Sequence, residues 1–120
     1  MSSENPGLTV EYDGNATIVT LVDEKLLEEE SIRELQSSLM SVIEEGSQIC
    51  LVIDFMNVVF LSSAVLGLLI RVSKNIYESD GQLRLCNINS KIFEVFKITR
   101  LTKIFDIHKD RESAICSFGH

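Results

Sequence analysis

Residues 49–67, ICLVIDFMNVVFLSSAVLG, decide how this chain folds. Ile49-Cys50-Leu51-Val52-Ile53 is a continuous apolar run closed by Asp54. A strand that is polar on neither face has to be covered on both, so this run is expected at the middle of a sheet. From about Ser63 to Asp80 the pattern becomes helical, with Val65, Leu68, Leu69, Val72 and Ile76 on one face and Arg71, Lys74, Asn75 and Glu78 largely opposite. Gly81 is expected to stop that helix, and Asp54 to Ser62 is the connection into it.

Upstream, Leu8, Val10 and Tyr12 alternate with Thr9 and Glu11, the pattern of a half-buried strand. Asp13-Gly14-Asn15 supplies turn chemistry, and the β-branched, apolar stretch Ala16 to Val22 returns as the second arm of a hairpin. From Glu28, the residues Ile32, Leu35, Leu39, Val42 and Ile43 recur at helical spacing, with Gly46 as the expected stop. Downstream, Gln82 to Cys86 reads as a strand. Asn89 or Ser90 caps a helix with Ile92, Val95, Phe96 and Thr99 on one stripe. Ile104 to Ile107 reads as a last short strand, and Asp110 with Ser113, Ala114, Ile115 and Phe118 as a closing helix. Strands and helices in this alternation predict an α/β domain with helices packed on a mostly parallel or mixed sheet. Its expected core holds Val10, Val19, Leu35, Leu39, Leu51, Ile53, Leu68, Leu69, Val72, Leu83, Leu85, Phe96 and Ile107.

The 120 residues suffice for one domain, taken as residues 8–118, with residues 1–7 as a flexible lead-in. Eighteen acidic against eleven basic residues give a net charge of −7, which disfavours attachment to nucleic acid or anionic lipid. No apolar run approaches membrane-spanning length, so a soluble, cytoplasmic protein without membrane insertion is expected. Cys50, Cys86 and Cys116 are odd in number and stand among apolar neighbours, the usage of buried thiols in a reducing compartment. With only His108 and His120 as imidazoles, and no ligand-spaced pair, neither a metal site nor another cofactor is expected.

In open α/β sheets function concentrates beyond the carboxyl ends of the strands, which places it on Asp54 to Gly67. A hydroxyl at the start of the long helix has unpaired backbone N–H groups and the positive end of the helix dipole beside it. Ser62 and Ser63 are therefore either helix caps or, for one of them, a phosphorylation site. Asp54 either orders the loop or is simply a strand-end carboxylate accepting loop N–H bonds. Phe55, Met56 and Phe60 are either loop anchors or part of an exposed docking patch.

The segment resembles the signature of STAS domains, the modules of anti-sigma factor antagonists, in which an Asp-Leu-Ser strand end leads through a Val-x-Phe loop to a serine and a Gly-Leu-Gly helix start. Asp54, Val58, Phe60, Leu61, Ser63, Leu66 and Gly67 match that pattern; Ala64 is the small residue after the serine, Ser62 stands where Asp is frequent, and Val65 replaces the frequent Gly. Gly81 to Ile88 is similar to the family's fourth strand, and Ile92 to Phe105 to its following helix, loop and last strand. The resemblance implies a STAS-type single domain with a mixed sheet of about five strands and about four α-helices. It further implies that Ser63 is phosphorylated by a partner that is both anti-sigma factor and serine kinase. The unmodified protein would bind that partner and free the sigma factor, and a PP2C-type, metal-dependent phosphatase would reset the switch. Asp54, Met56, Asn57, Phe60, Ser62, Ser63, Ala64, Leu66 and Gly67 would form the docking surface.

Other readings are weaker. STAS-like modules also serve transporters and signalling scaffolds, where Ser63 need not be modified. A hydrolase using Ser63 lacks both a GxSxG elbow and a histidine placed to act as base, and a nucleotide site lacks a glycine-rich loop. The acidic residues Asp23, Glu24, Glu28, Glu29 and Glu30 fit a solvated helix start better than a metal-binding or partner-facing edge. Lys91, Lys97, Arg100 and Lys103 fit scattered surface charge better than a site for an acidic partner.

Overall fold

The computed structural model describes residues 7–44 and 48–118. Outside them lie the expected lead-in apart from Gly7, the expected helix stop at Gly46, and His120. Strand β1 (Leu8–Asp13) and strand β2 (Ala16–Leu21) form an antiparallel hairpin in which Asp13 faces Ala16 across Gly14-Asn15. Gly14 has φ +61°, the left-handed conformation that a glycine adopts at least cost. Burial falls along β1 toward the turn: Leu8 is buried, Val10 half-buried, and Tyr12 68% exposed rather than part of the half-buried face.

Strand β3 (Lys25–Leu26) is followed by helix α1 (Glu29–Glu44), which buries Leu35, Leu39, Val42 and Ile43 and half-buries Ile32. Strand β4 (Cys50–Asp54), strand β5 (Phe60–Leu61) and helix α2 (Ser63–Glu78) come next. Strand β6 (Gln82–Cys86), helix α3 (Ser90–Ile98), a 3₁₀ turn at Leu101–Lys103, strand β7 (Asp106–His108) and helix α4 (Arg111–Cys116) complete the order. The main sheet runs β1-β2-β4-β6-β7, antiparallel only at β1/β2, so β4 is its centre, as its apolar run requires.

Alternate residues of the inner strands face opposite layers. Val19, Leu21, Leu51, Ile53, Leu83 and Leu85 pack with α1, α2 and α3 in the main core. Ile18, Val52 and Cys86 face the other way, against Ala114, Ile115 and Phe118 of α4 and the residues just after it. The short α4 is capped by Asp110, whose carboxylate accepts from the Ser113 backbone N–H at 2.8 Å. That bond holds the Asp110 carboxyl below its ordinary 3.8, so its stabilisation is present above that value and is lost as pH falls through the lower folded one.

Four expectations change. Asp80, not Gly81, takes the left-handed residue after α2 (φ 63°), and the Gly81 N–H closes the turn on the Ile76 carbonyl at 2.8 Å. Gly81 is needed for a different reason: a Cβ there would lie 2.6 Å from the Ile49 carbonyl oxygen and 2.9 Å from Ile76 Cγ2. Gly81→Ala is therefore expected to cost about 2 kcal/mol by forcing Gly81 away from Ile49 and Ile76, measured by urea denaturation. Val95 is exposed and Thr99 caps the end of α3 rather than joining its buried stripe, which consists of Ile92 and Phe96. The last strand starts at Asp106, because Phe105 turns inward to meet Phe96 edge-on at 5.8 Å and leaves Ile104 in solvent. Ile107, expected in the core, is half-buried at the sheet edge.

Candidate functional site

The connection from β4 to α2 crosses the carboxyl end of the sheet and is held from several sides. Phe55 is fully buried, and its N–H donates to the Cys86 carbonyl at 3.0 Å. The Asn57 side chain donates to the Leu21 carbonyl at 3.1 Å, and Asn89 donates to the Val58 and Val59 carbonyls at 3.2 and 3.3 Å. Asn89 also caps α3 through Ile92 N–H. The Val59 and Phe60 N–H groups share the Glu24 carbonyl, and β5 pairs with β3 in parallel, Lys25 beside Phe60 and Leu26 beside Leu61. Neither segment reads as a strand in the sequence, because two residues are too few to show a period.

Asp54 lies beneath this loop with its carboxylate fully buried. One oxygen accepts from Met56 N–H at 3.0 Å and from the Asn87 amide at 2.9 Å, and the other accepts from the Arg111 guanidinium at 3.1 Å. Arg111 also reaches Thr20 Oγ1 and Glu11, each at 2.9 Å. Burial works against the Arg111 charge, but the hydrogen bond and charge of Asp54, followed by Glu11, outweigh it and raise the pKa. Asp54 thus bonds the loop at its own strand end and, beyond that, ties it to α4. Its burial removes it from any surface a partner could touch.

Ser62 and Ser63 differ sharply. Ser62 occupies the cap position of α2, yet its hydroxyl makes no capping bond and is buried without a hydrogen-bond partner. Its N–H donates to the Leu26 carbonyl at 3.0 Å, so the backbone is fixed by β3. Ser63 is the first helical residue and is exposed, as is Ala64. Of the other expected docking residues, Met56 (62%), Asn57 and Phe60 (45%) are exposed, Gly67 is half-buried and Leu66 is buried against the core. A Cβ at Gly67 would meet only the tip of Arg71 at 3.9 Å, so space does not demand glycine there. The apolar surface also includes Val59 and, just after β3, Leu27, both exposed. Sequence reasoning missed these because their adjacency depends on the β3/β5 pairing.

The cysteines differ as well. Cys86 is buried behind Asp54, and burial, with the Asp54 charge second, pushes its thiol up to about 12. Cys116 is exposed, not buried as expected, because Ala114 rather than Cys116 faces the sheet from the last turn of α4. Iodoacetamide at pH 8 is expected to modify Cys116 in the native protein and Cys86 only after unfolding, as read by peptide mass mapping. His108, on edge strand β7, has its Nε2 3.1 Å from Asp106.

Fold and site together define a mixed α/β module with an exposed serine opening a helix beside an apolar surface. The chain belongs to the STAS domain family, whose model matches residues 8–114. It is similar to BtrV of Bordetella bronchiseptica, named as an anti-sigma factor antagonist, with 29% identity over 85 residues, 71% of this chain and 72% of that one. Among solved structures, an anti-sigma-factor antagonist (STAS) domain protein from Planctomyces limnophilus superposes with a TM-score of 0.87 at 20% identity, covering 94% of this chain and 98% of the other. The Bacillus cell fate determinant SpoIIAA in its phosphorylated form gives a TM-score of 0.69 at 17% identity, over 92% of this chain and 98% of SpoIIAA. Among the described residues no helix is long and apolar enough to cross a membrane.

Proposed function

We propose that this protein is an anti-sigma factor antagonist that works as a non-catalytic, cytoplasmic binding switch. Unmodified, it holds an anti-sigma factor of the serine kinase type and so regulates transcription. Phosphorylation of Ser63 releases that partner, and a PP2C-type phosphatase restores the binding form. The observation that carries this reading is the contrast between the two serines: Ser63 offers an exposed hydroxyl at the first residue of α2, whereas the Ser62 hydroxyl is buried. Family membership and the name of BtrV support the antagonist role, and the phosphorylated form of SpoIIAA supports the modification.

The docking surface is built from Met56, Asn57, Phe60, Ser63 and Ala64, with Ser62 and Gly67 at its margin and Val59 and Leu27 extending it. Asp54 and Leu66 support it from below. A neutral hydroxyl permits close apolar contact there, while a phosphate of about −1.5 to −2 charges inserts a solvated group into the same interface. The phosphate is itself well placed at a helix N-terminus, so the switch acts on the surface rather than on the fold.

The test is to isolate the protein from its native cells, identify its companions by mass spectrometry, and read Ser63 in the same digest. A kinase-type anti-sigma factor with the unmodified form, and phosphate on Ser63 in the unbound pool, is the expected result. Transporter or scaffold subunits as companions, with Ser63 unmodified under every growth condition, would overturn the sigma-factor mechanism.

A further inference from the structure

On β4, the Asp54 side chain reaches both the docking loop and α4 through hydrogen bonds. Along β4, Val52 and Asp54 face the α4 side of the sheet, as do Ile18 and Thr20 on β2 and Cys86 on β6. α4 covers that side with few residues: Ala114, Ile115 and, just beyond it, Phe118. Arg111, in its first turn, crosses to three strands at once, taking Glu11 on β1, Thr20 on β2 and Asp54 on β4. We infer that Arg111 is a positioning residue for the docking loop: through the buried Asp54 carboxylate, α4 sets the conformation of the loop on the opposite rim of the strand end.

The physical basis is the division of labour on one carboxylate. A buried carboxylate keeps its charge only if it is fully hydrogen-bonded. With Arg111 on one oxygen, the other is free to order Met56 N–H and Asn87. Without Arg111 the charge has no cation, and the carboxylate is drawn to turn toward water, which surrenders Met56. The loop then loses the bond that begins its turn, although Asn57, Asn89 and Glu24 still hold its middle and far end. Because Arg111 sits on α4, anything that shifts this short helix would act on the loop without touching the docking surface. What the link does for docking rests on the function proposed above, but the link itself is measured without a partner, so the two readings fail separately.

The experiment is residue-resolved amide hydrogen exchange by NMR on the full chain and on Arg111→Met and Arg111→Lys. The readout is the Met56 amide relative to Val52 in the central strand, which removes any global loss of stability. In Arg111→Met the Met56 amide is expected to exchange about tenfold or more faster relative to Val52, through local opening of the loop. Arg111→Lys keeps a cation beside Asp54 but not the fork that also spans Thr20 and Glu11, so its Met56 protection should fall between wild type and Met. If Arg111→Met does not fold, the Lys variant gives the same comparison. Equal acceleration at Met56 and Val52, or unchanged protection at Met56 in a folded variant, would overturn the inference and leave Arg111 as a general stabiliser.

Discussion

Ser63→Glu should bind the anti-sigma factor captured with the native protein about a hundredfold more weakly than wild type, a loss of about 2.8 kcal/mol, while Ser63→Ala stays within about threefold. The asymmetry follows from the site. Ser63 is exposed at the first residue of α2, so neither substitution disturbs packing. A carboxylate at that position is favoured by the helix dipole by about 0.3–1 kcal/mol, so the free protein should be as stable as wild type or slightly more so. The penalty appears only on association, when the charge has to be desolvated against Met56, Phe60 and whatever partner surface covers them. Isothermal titration measures the affinities and thermal melting the stability. Loss of binding with an unchanged melting temperature separates a switch from a misfolded variant. Unchanged affinity in Ser63→Glu would leave the fold intact and remove the phosphorylation mechanism.

Asp54→Ala should lower stability by about 3 kcal/mol, a shift of about 2 M in the urea midpoint at an m-value of about 1.5 kcal/mol/M. The substitution leaves Met56 N–H and the Asn87 amide without their acceptor, and it strips Arg111 of its buried partner. Arg111 is partly exposed and keeps Glu11, which places the cost below that of stranding a wholly buried charge. Asp54→Asn should lose nearly as much, because one side-chain oxygen cannot serve donors on both sides. With its oxygen toward Met56, the amide nitrogen faces the Arg111 guanidinium, donor against donor. A loss under about 1 kcal/mol in either variant would mean that water readily replaces these bonds.

The main sheet and its helices were readable from short-range pattern because each rests on neighbours in sequence. Ile49 to Ile53 had to be central because no residue in it tolerates solvent on either face. Asp13-Gly14-Asn15 had to turn, and the spacing of Val65, Leu68, Leu69, Val72 and Ile76 had to be helical. The misreadings came where local pattern and packing part company. Ile104, Phe105 and Ile107 look like one strand, but Phe105 is claimed by Phe96 and the strand begins later. Gly81 looks like the residue that stops α2, but Asp80 takes the left-handed position there and Gly81 is needed for the close approach of Ile49.

At the site, the family motif pointed to Asp54, Phe60 and Ser63 from the sequence alone, and spacing could place Ser63 at a helix start. Which serine presents its hydroxyl could not be read that way, since adjacent serines differ only in how β3 fixes the backbone at Ser62. Nor could the partner of Asp54, because Arg111 stands 57 residues further on and meets it only after α4 has folded across the back of the sheet. Periodicity reports the solvent and core faces of one element at a time. It determined the layers, the central strand and the helix carrying Ser63. Pairing between β3 and β5, the exposure of Val59 and Leu27 beside Phe60, and the burial of Asp54 on a cation from another layer depend on distant segments arriving together, and tertiary packing alone decided them.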